Sequence, residues 1–223
     1  MPVPPKGLRW RQASPAPCFM IRKERVGMAE TTIENAYRTP LAQRQLDRSG
    51  TVWSVKERRD RGFVVLRGNN DDRVFLQALA TLDLSLPQPV SSSTNGGGER
   101  TLLWVSPDEF LLLLPLPEKD AFIERAETVF RGLHAAVVDN SGGYSCLQLA
   151  GSQVLAVLQK LCAYDLGNTA FPSGRVLSSH LAKAPVIIHR PDPHSLQLLI
   201  RFSFADYGWR VLSVAASEYQ AVV

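Results

Sequence analysis

Long apolar runs are missing from this chain of 223 residues. The longest stretch without a polar residue is four to six residues, around Leu111-Leu112-Leu113-Leu114. A membrane helix needs about 20 such residues, so no membrane association is expected. Cysteine is equally scarce. Cys18, Cys146 and Cys162 are too scattered for a disulfide framework, and no CxxC pair offers half a zinc site. A reducing cytoplasm is the natural setting for such a chain. No GxGxxG follows a strand-like segment, and no Gly-x-Ser-x-Gly elbow is present. A dinucleotide site and a hydrolase of that type are therefore without support. The four histidines, His134, His180, His189 and His194, show no i, i+4 pair.

The charge also fades once it is divided. The net charge of +4 includes +5 from residues 1–27, which leaves −1 for everything after them. The basic balance belongs to the first segment, so pI offers no argument for nucleic acid as a partner. That segment carries Pro2, Pro4, Pro5, Pro15 and Pro17 and shows no helical or strand period. It reads as a disordered arm, a targeting peptide or an over-long start ahead of Met28. Residues 28–50 are polar and read as an extended N-terminal segment.

What is present, from residue 51 to 218, is a single α+β domain. Thr51–Val55 alternates and Phe63–Leu66 is a short apolar run, so both read as strands. The charged turn Lys56-Glu57-Arg58-Arg59-Asp60-Arg61 between them reads as solvated, since no aromatic platform for RNA is interleaved with it. Asn70 or Asp71 caps a helix with Val74, Phe75, Ala78, Leu79 and Leu82 on one face. Ser91 to Gly98 is Ser/Gly-rich and reads as a flexible loop. Leu102–Val105 and Phe110–Leu114 form a hairpin about Ser106-Pro107-Asp108-Glu109, and a helix follows from Pro117. Ala135–Val138 and Ser145–Leu149 are further strands, and Ser152 caps a third helix. Strands at Val186–His189 and Leu196–Phe202 precede a last helix capped by Ser203.

A repeat organises these elements. Leu76, Leu79, Asp83 and Leu84 recur 82 residues later as Leu158, Leu161, Asp165 and Leu166, and Gly68 recurs as Gly151. Two ferredoxin-like strand–helix–hairpin halves, about 51–133 and 134–218, are expected to be related by a pseudo-twofold axis. Each would bury the other's open sheet face. A crevice where they meet is a plausible small-molecule site.

Candidate chemistry is thin. Asp139, before Asn140-Ser141-Gly142-Gly143, can either accept hydrogen bonds from a ligand or cap the turn, and the cap is favoured. His189 and His194 flank a turn and read as a surface pair rather than a metal pair. Cys146 and Cys162 read as small apolar residues. No catalytic, cofactor-binding or metal-binding residue is assigned. Tyr207 and Trp209 are candidates for an exposed docking surface, or for burial by the last helix.

Several motifs resemble one family. They are Leu103-Trp104-Val105-Ser106-Pro107-Asp108-Glu109-Phe110, Val137-Val138-Asp139-Asn140-Ser141-Gly142-Gly143 and Leu149-Ala150-Gly151. Others are Cys162-Ala163-Tyr164-Asp165-Leu166, Phe171-Pro172-Ser173-Gly174-Arg175, Leu181-Ala182-Lys183-Ala184-Pro185-Val186 and Arg201-Phe202-Ser203-Phe204-Ala205-Asp206-Tyr207. Together they resemble the gamma subunits of heterotetrameric sarcosine oxidases, from about Pro40 to Glu218. A weaker likeness is to the aminomethyltransferase-like, folate-binding fold. Ser178-Ser179-His180 and the Ser/Gly stretch at 91–98 depart from the pattern. The resemblance implies a non-catalytic subunit partnered by alpha, beta and delta chains. The complex would oxidise sarcosine to glycine with release of hydrogen peroxide and pass the one-carbon unit to tetrahydrofolate. FAD, FMN, NAD and zinc would lie in the other subunits. The second reading is a stand-alone folate-binding or folate-dependent protein that uses the groove between the repeats.

Overall fold

In the computed structural model the residues described are 39–44, 51–95 and 98–219. All belong to one compact unit, Tyr37–Val223. The expectations for residues 1–27 lie outside the described residues. Strands β1 (Ser54–Glu57) and β2 (Arg61–Arg67) lead to helix α1 (Arg73–Thr81), then β3 (Ser92–Asn95), β4 (Arg100–Ser106), β5 (Glu109–Pro115) and α2 (Lys119–Val129). The second run is β6 (Ala136–Asp139), β7 (Tyr144–Ala150), α3 (Val154–Gln159), β8 (Val176–Leu181), β9 (Ala184–Asp192), β10 (Ser195–Arg201) and α4 (Ala205–Ala216).

Two antiparallel sheets result, in the orders β3-β4-β5-β2-β6 and β1-β7-β10-β9-β8. Read from opposite ends, they carry corresponding strands in the same sequence, with one exchange. β1 precedes the first run but pairs with β7, Ser54 opposite Ala150. β6 precedes the second run but pairs with β2, Val64 opposite Asp139. Each sheet thus borrows its last strand from the segment leading into the other.

The side-chain period of two explains the layering. On β5, Phe110, Leu112 and Leu114 meet α1 and α2 through Phe75, Leu79, Phe122 and Ala126. The alternate residues Leu111 and Leu113 face inward, onto Phe63 and Leu103 and across to Cys146, Val176, Ile187 and Leu199 of the other sheet. Burial on both faces is why this strand is continuously apolar. On the far side, Leu196, Leu198 and Ile200 of β10 pack under α3 and α4 with Val157, Leu158, Trp209 and Leu212. The layers therefore run helix, sheet, sheet, helix.

One lateral margin of the sheet pair is stitched by backbone hydrogen bonds between the sheets. There Ser92 N–H donates to Gly174 O at 2.8 Å and Val176 N–H to Val90 O at 3.0 Å. On the other, Arg58 N–H to Cys146 O at 2.9 Å extends the β1–β7 ladder and Asn140 N–H to Phe63 O at 2.8 Å extends the β2–β6 ladder. The expectation of a flexible loop at 91–98 is therefore corrected. Residues 92–95 form β3, paired with β4 from Ser92–Leu103 to Asn95–Arg100. β8, its counterpart, is also a strand that the sequence reading did not identify. In the segment read as featureless and polar, Leu41 is fully buried in the core beneath α4.

Local signals are offset by one or two residues in places. Asp72, not Asn70 or Asp71, caps α1, accepting from Val74 N–H at 2.9 Å. Neither Ser152 nor Ser203 caps its helix, whose boundary residues are Gln153 and Phe204. The paired glycines mark close approaches. A Cβ on Gly68 would lie 2.5 Å from the Phe75 ring, and one on Gly151 would lie 2.6 Å from Val52 O, with φ already at +123°. Gly132 also has positive φ, at +82°, but faces open space. Gly151→Ala is expected to cost about 2–4 kcal/mol, because backbone must move as well as φ be forced. Gly132→Ala, by contrast, is expected to cost only about 1 kcal/mol. Urea titration of both variants checks the ordering, which equal losses would contradict.

Candidate functional site

The charged turn between β1 and β2 sits where the two sheets meet. It walls a crevice of about 70 Å³ whose lining includes Arg58, Arg59, Arg61, Phe63, Tyr144 and Phe202. Phe63 and Tyr144 meet edge to face, ring centroids 6.1 Å apart, and form the apolar floor. The turn's cations are tied to acids. Arg58 Nε and Nη2 donate to the two oxygens of Asp60 at 2.8 and 2.7 Å, and its Nη1 donates to Gln148 Oε1 at 3.0 Å. Arg59 Nε donates to Glu57 Oε2 at 2.7 Å. The hydrogen bonds from Arg58 hold the Asp60 carboxyl below its ordinary range, against partial burial.

Asp139 closes its own turn, as the sequence suggests. Its Oδ1 accepts from Ser141 N–H at 2.9 Å, and Oδ2 takes a hydrogen bond from the buried Lys119 at 2.5 Å. Burial works to raise this carboxyl, but the bonds from Lys119 and Ser141 outweigh it and leave the group below its ordinary value. Both oxygens are thereby engaged, which fits a structural cap better than a ligand acceptor.

The surface-pair expectation for the histidines is corrected. His189 is 2% exposed. Its Nδ1–H donates to Gln197 Oε1 at 3.1 Å, and its Nε2 takes the Ser92 hydroxyl at 2.9 Å. Gln197 stands opposite His189 in the β9–β10 register, so His194 is not its partner. This network joins β3 to β9 across the sheet margin. Burial pushes the imidazole below its ordinary value of 6.5. Cys146 and Cys162 are both buried, as expected of small apolar residues. Burial pushes the Cys146 thiol up to about 12. Among the described residues, no three His, Cys, Asp or Glu side chains cluster as metal ligands.

The docking candidates divide differently from the expectation. Trp209 is 7% exposed, packed under α4 against the β7–β10 sheet. Tyr207 is half-buried, and its hydroxyl accepts from Lys183 N–H at 3.4 Å. Exposed aromatics among the described residues are instead Phe202 at 45% and Phe204 at 40%, on the 3-10 turn Phe202–Phe204 between β10 and α4, and Tyr164 at 39%. Larger depressions exist but are open. One of about 700 Å³ lies between Arg67–Asp71, Asp108 and His134.

Two expectations follow from this geometry. His189 is neutral in the fold and its proton affinity there is lower than in the unfolded chain. Stability from this group is thus complete above about pH 6.5 and is lost as pH falls through the lower folded value. Urea titrations of the native chain should show this loss, and His189→Gln should remove it. An unchanged pH dependence in the variant would contradict the assignment. Cys146, by burial and high pKa, should resist a thiol reagent in native buffer and react once urea unfolds the chain. Labelling read by peptide mass distinguishes the two states.

The comparisons with known proteins agree with one another. The family model described as sarcosine oxidase, gamma subunit family, matches residues 67–218. Sarcosine oxidase subunit gamma of an Arthrobacter species is 31% identical over 140 residues, covering 63% of this chain and 68% of that one. The Corynebacterium sp. strain P-1 subunit is 31% identical over 158 residues, covering 71% and 75%. A chain of the heterotetrameric sarcosine oxidase of Corynebacterium sp. U-96, solved in complex with pyrrole 2-carboxylate, superposes with a TM-score of 0.74. It is 27% identical, and the match covers 84% of this chain and 98% of that one. Aminomethyltransferase T of the Bartonella henselae glycine cleavage system shares the fold, with a TM-score of 0.56 and 14% identity over 73% of this chain and 46% of its own. The family match spans more than half the sequence and the curated relatives are matched over two thirds of their length, so the chain belongs to the sarcosine oxidase gamma subunit family.

Proposed function

We propose that this chain is the gamma subunit of a heterotetrameric sarcosine oxidase and contributes structure rather than chemistry to it. The observation that carries this reading is the superposition over 98% of a chain of such a complex. The interior supports it. A pocket for a drug-sized or cofactor-sized ligand holds roughly 300–1,000 Å³. A depression of about 320 Å³ opens between the sheets, whereas the crevice at the charged turn offers about 70 Å³ and is floored by packed aromatic rings. A flavin or folate does not fit in that crevice, and the described residues offer no cluster to hold zinc. In this reading FAD, FMN, NAD, zinc and tetrahydrofolate belong to the alpha, beta and delta subunits. The complex would convert sarcosine to glycine, with oxygen as electron acceptor and peroxide as product, and would transfer the one-carbon unit to tetrahydrofolate in the cytoplasm. The matched strand orders and the exchange of β1 and β6 further support two ferredoxin-like halves related by a pseudo-twofold axis.

Co-expression with the alpha, beta and delta chains tests the assignment. The chain should elute in one large yellow assembly that produces peroxide from sarcosine. Alone, it should be colourless in the flavin band and inactive. Flavin absorbance or sarcosine turnover by the isolated chain would overturn the proposal, and so would failure to join the assembly.

A further inference from the structure

This inference rests on the subunit reading above and asks which face meets the partner. Among the described residues six large apolar side chains are exposed: Val74, Val138, Tyr164, Phe202, Phe204 and Val214. Phe202 and Phe204 stand apart because they are aromatic, two residues apart on one short turn, and beside the crevice mouth, which Phe202 lines. Exposed aromatic pairs of this kind are the usual anchors of a protein interface.

The charge around them is one-sided. A second depression adjoins the crevice and shares Glu57, Arg58 and Arg59 with it. The two depressions together carry Arg44, Lys56, Arg58, Arg59 and Arg61 against Glu57 and Asp60, with Glu99 beside Arg61 at 3.5 Å. The Glu57 side chain is 5% exposed, so it scarcely reaches the surface, whereas Arg59 is 57% exposed. Asp206 beside this face is itself shared by Arg44 and Arg210. The excess of positive charge stands out in a chain whose residues after 27 sum to −1. Such local complementarity steers association and selects the partner's sign.

We infer that the face formed by the Lys56–Arg61 turn and Phe202–Phe204 docks an acidic segment of a partner subunit. An apolar side chain of that segment would sit against the two phenylalanines and its carboxylates over the cationic turn. The crevice has room for the tip of one side chain, which suits an anchor rather than a small-molecule ligand.

The test uses the co-expressed complex. In Lys56→Glu combined with Phe202→Ser, association of this chain with the assembly should weaken about tenfold or more, and the weakening should grow with falling salt. Val74→Ser combined with Val138→Ser, on exposed sites elsewhere, should leave association unchanged. Circular dichroism and urea midpoints of both isolated variants confirm that they fold. If both fold and the first assembles as tightly as the wild type, the inference is overturned. The same holds if the control variant is the one that dissociates. Loss of a dimer of the isolated chain in the first variant, with the assembly intact, would assign the face to a second copy and also overturn it. A wild-type chain that fails to join the assembly would instead refute the subunit reading itself.

Discussion

Neither sheet of this chain can be left with its inner face exposed. Leu111 and Leu113 on one side, and Ile187 and Leu199 on the other, are apolar residues on strands whose opposite faces are already covered by helices. Each half therefore requires the other as its second cover. The exchange of β1 and β6 binds that requirement into the backbone, because each sheet is completed by a strand leading into its partner. The stitching at the β3–β8 margin follows from the same arrangement. There the His189 network replaces solvent with hydrogen bonds on both ring nitrogens, so the buried polar groups are satisfied.

That constraint has a functional consequence. The two helix-covered sheets fill the interior with packed apolar side chains. What remains available is the outside. The turn between β1 and β2 is held out at the sheet junction by Arg58–Asp60 and Arg59–Glu57 pairs, with Phe202 and Phe204 beside it. Ion pairs this exposed add little to stability. They do fix the direction in which the cations point, which matters for recognition.

Much of this was legible in the residues. The continuous apolar run of β5 and the amphipathic faces of α1 and α4 are strong signals, and the Gly68/Gly151 pair has a plain steric cause in Phe75 and Val52. Other features were hidden for physical reasons. β3 is Ser92-Ser93-Thr94-Asn95, an edge strand whose identity comes from pairing with β4 and contact with Gly174, not from apolar alternation. β8 is the matching edge. Leu41 carries no periodicity because it is a lone residue plugging a core built by distant elements. The burial of His189 depends on Ser92, 97 residues away in sequence. The Trp209 outcome was accessible, since Ala205, Trp209, Leu212 and Ala216 share one helical face. The exposure of Phe202 and Phe204 was not, because a 3-10 turn between a strand and a helix gives no pattern from which to tell inside from outside.

Hydrogen exchange, compared between the isolated chain and the assembled complex, tests most directly the claim that this protein acts through its surface. The account predicts that amides of β5 and β10 exchange equally slowly in both states. New protection should concentrate at residues 56–61 and 202–204. Large changes within β5 and β10, with none at those surface segments, would show that the interior is remodelled on assembly and would contradict the account.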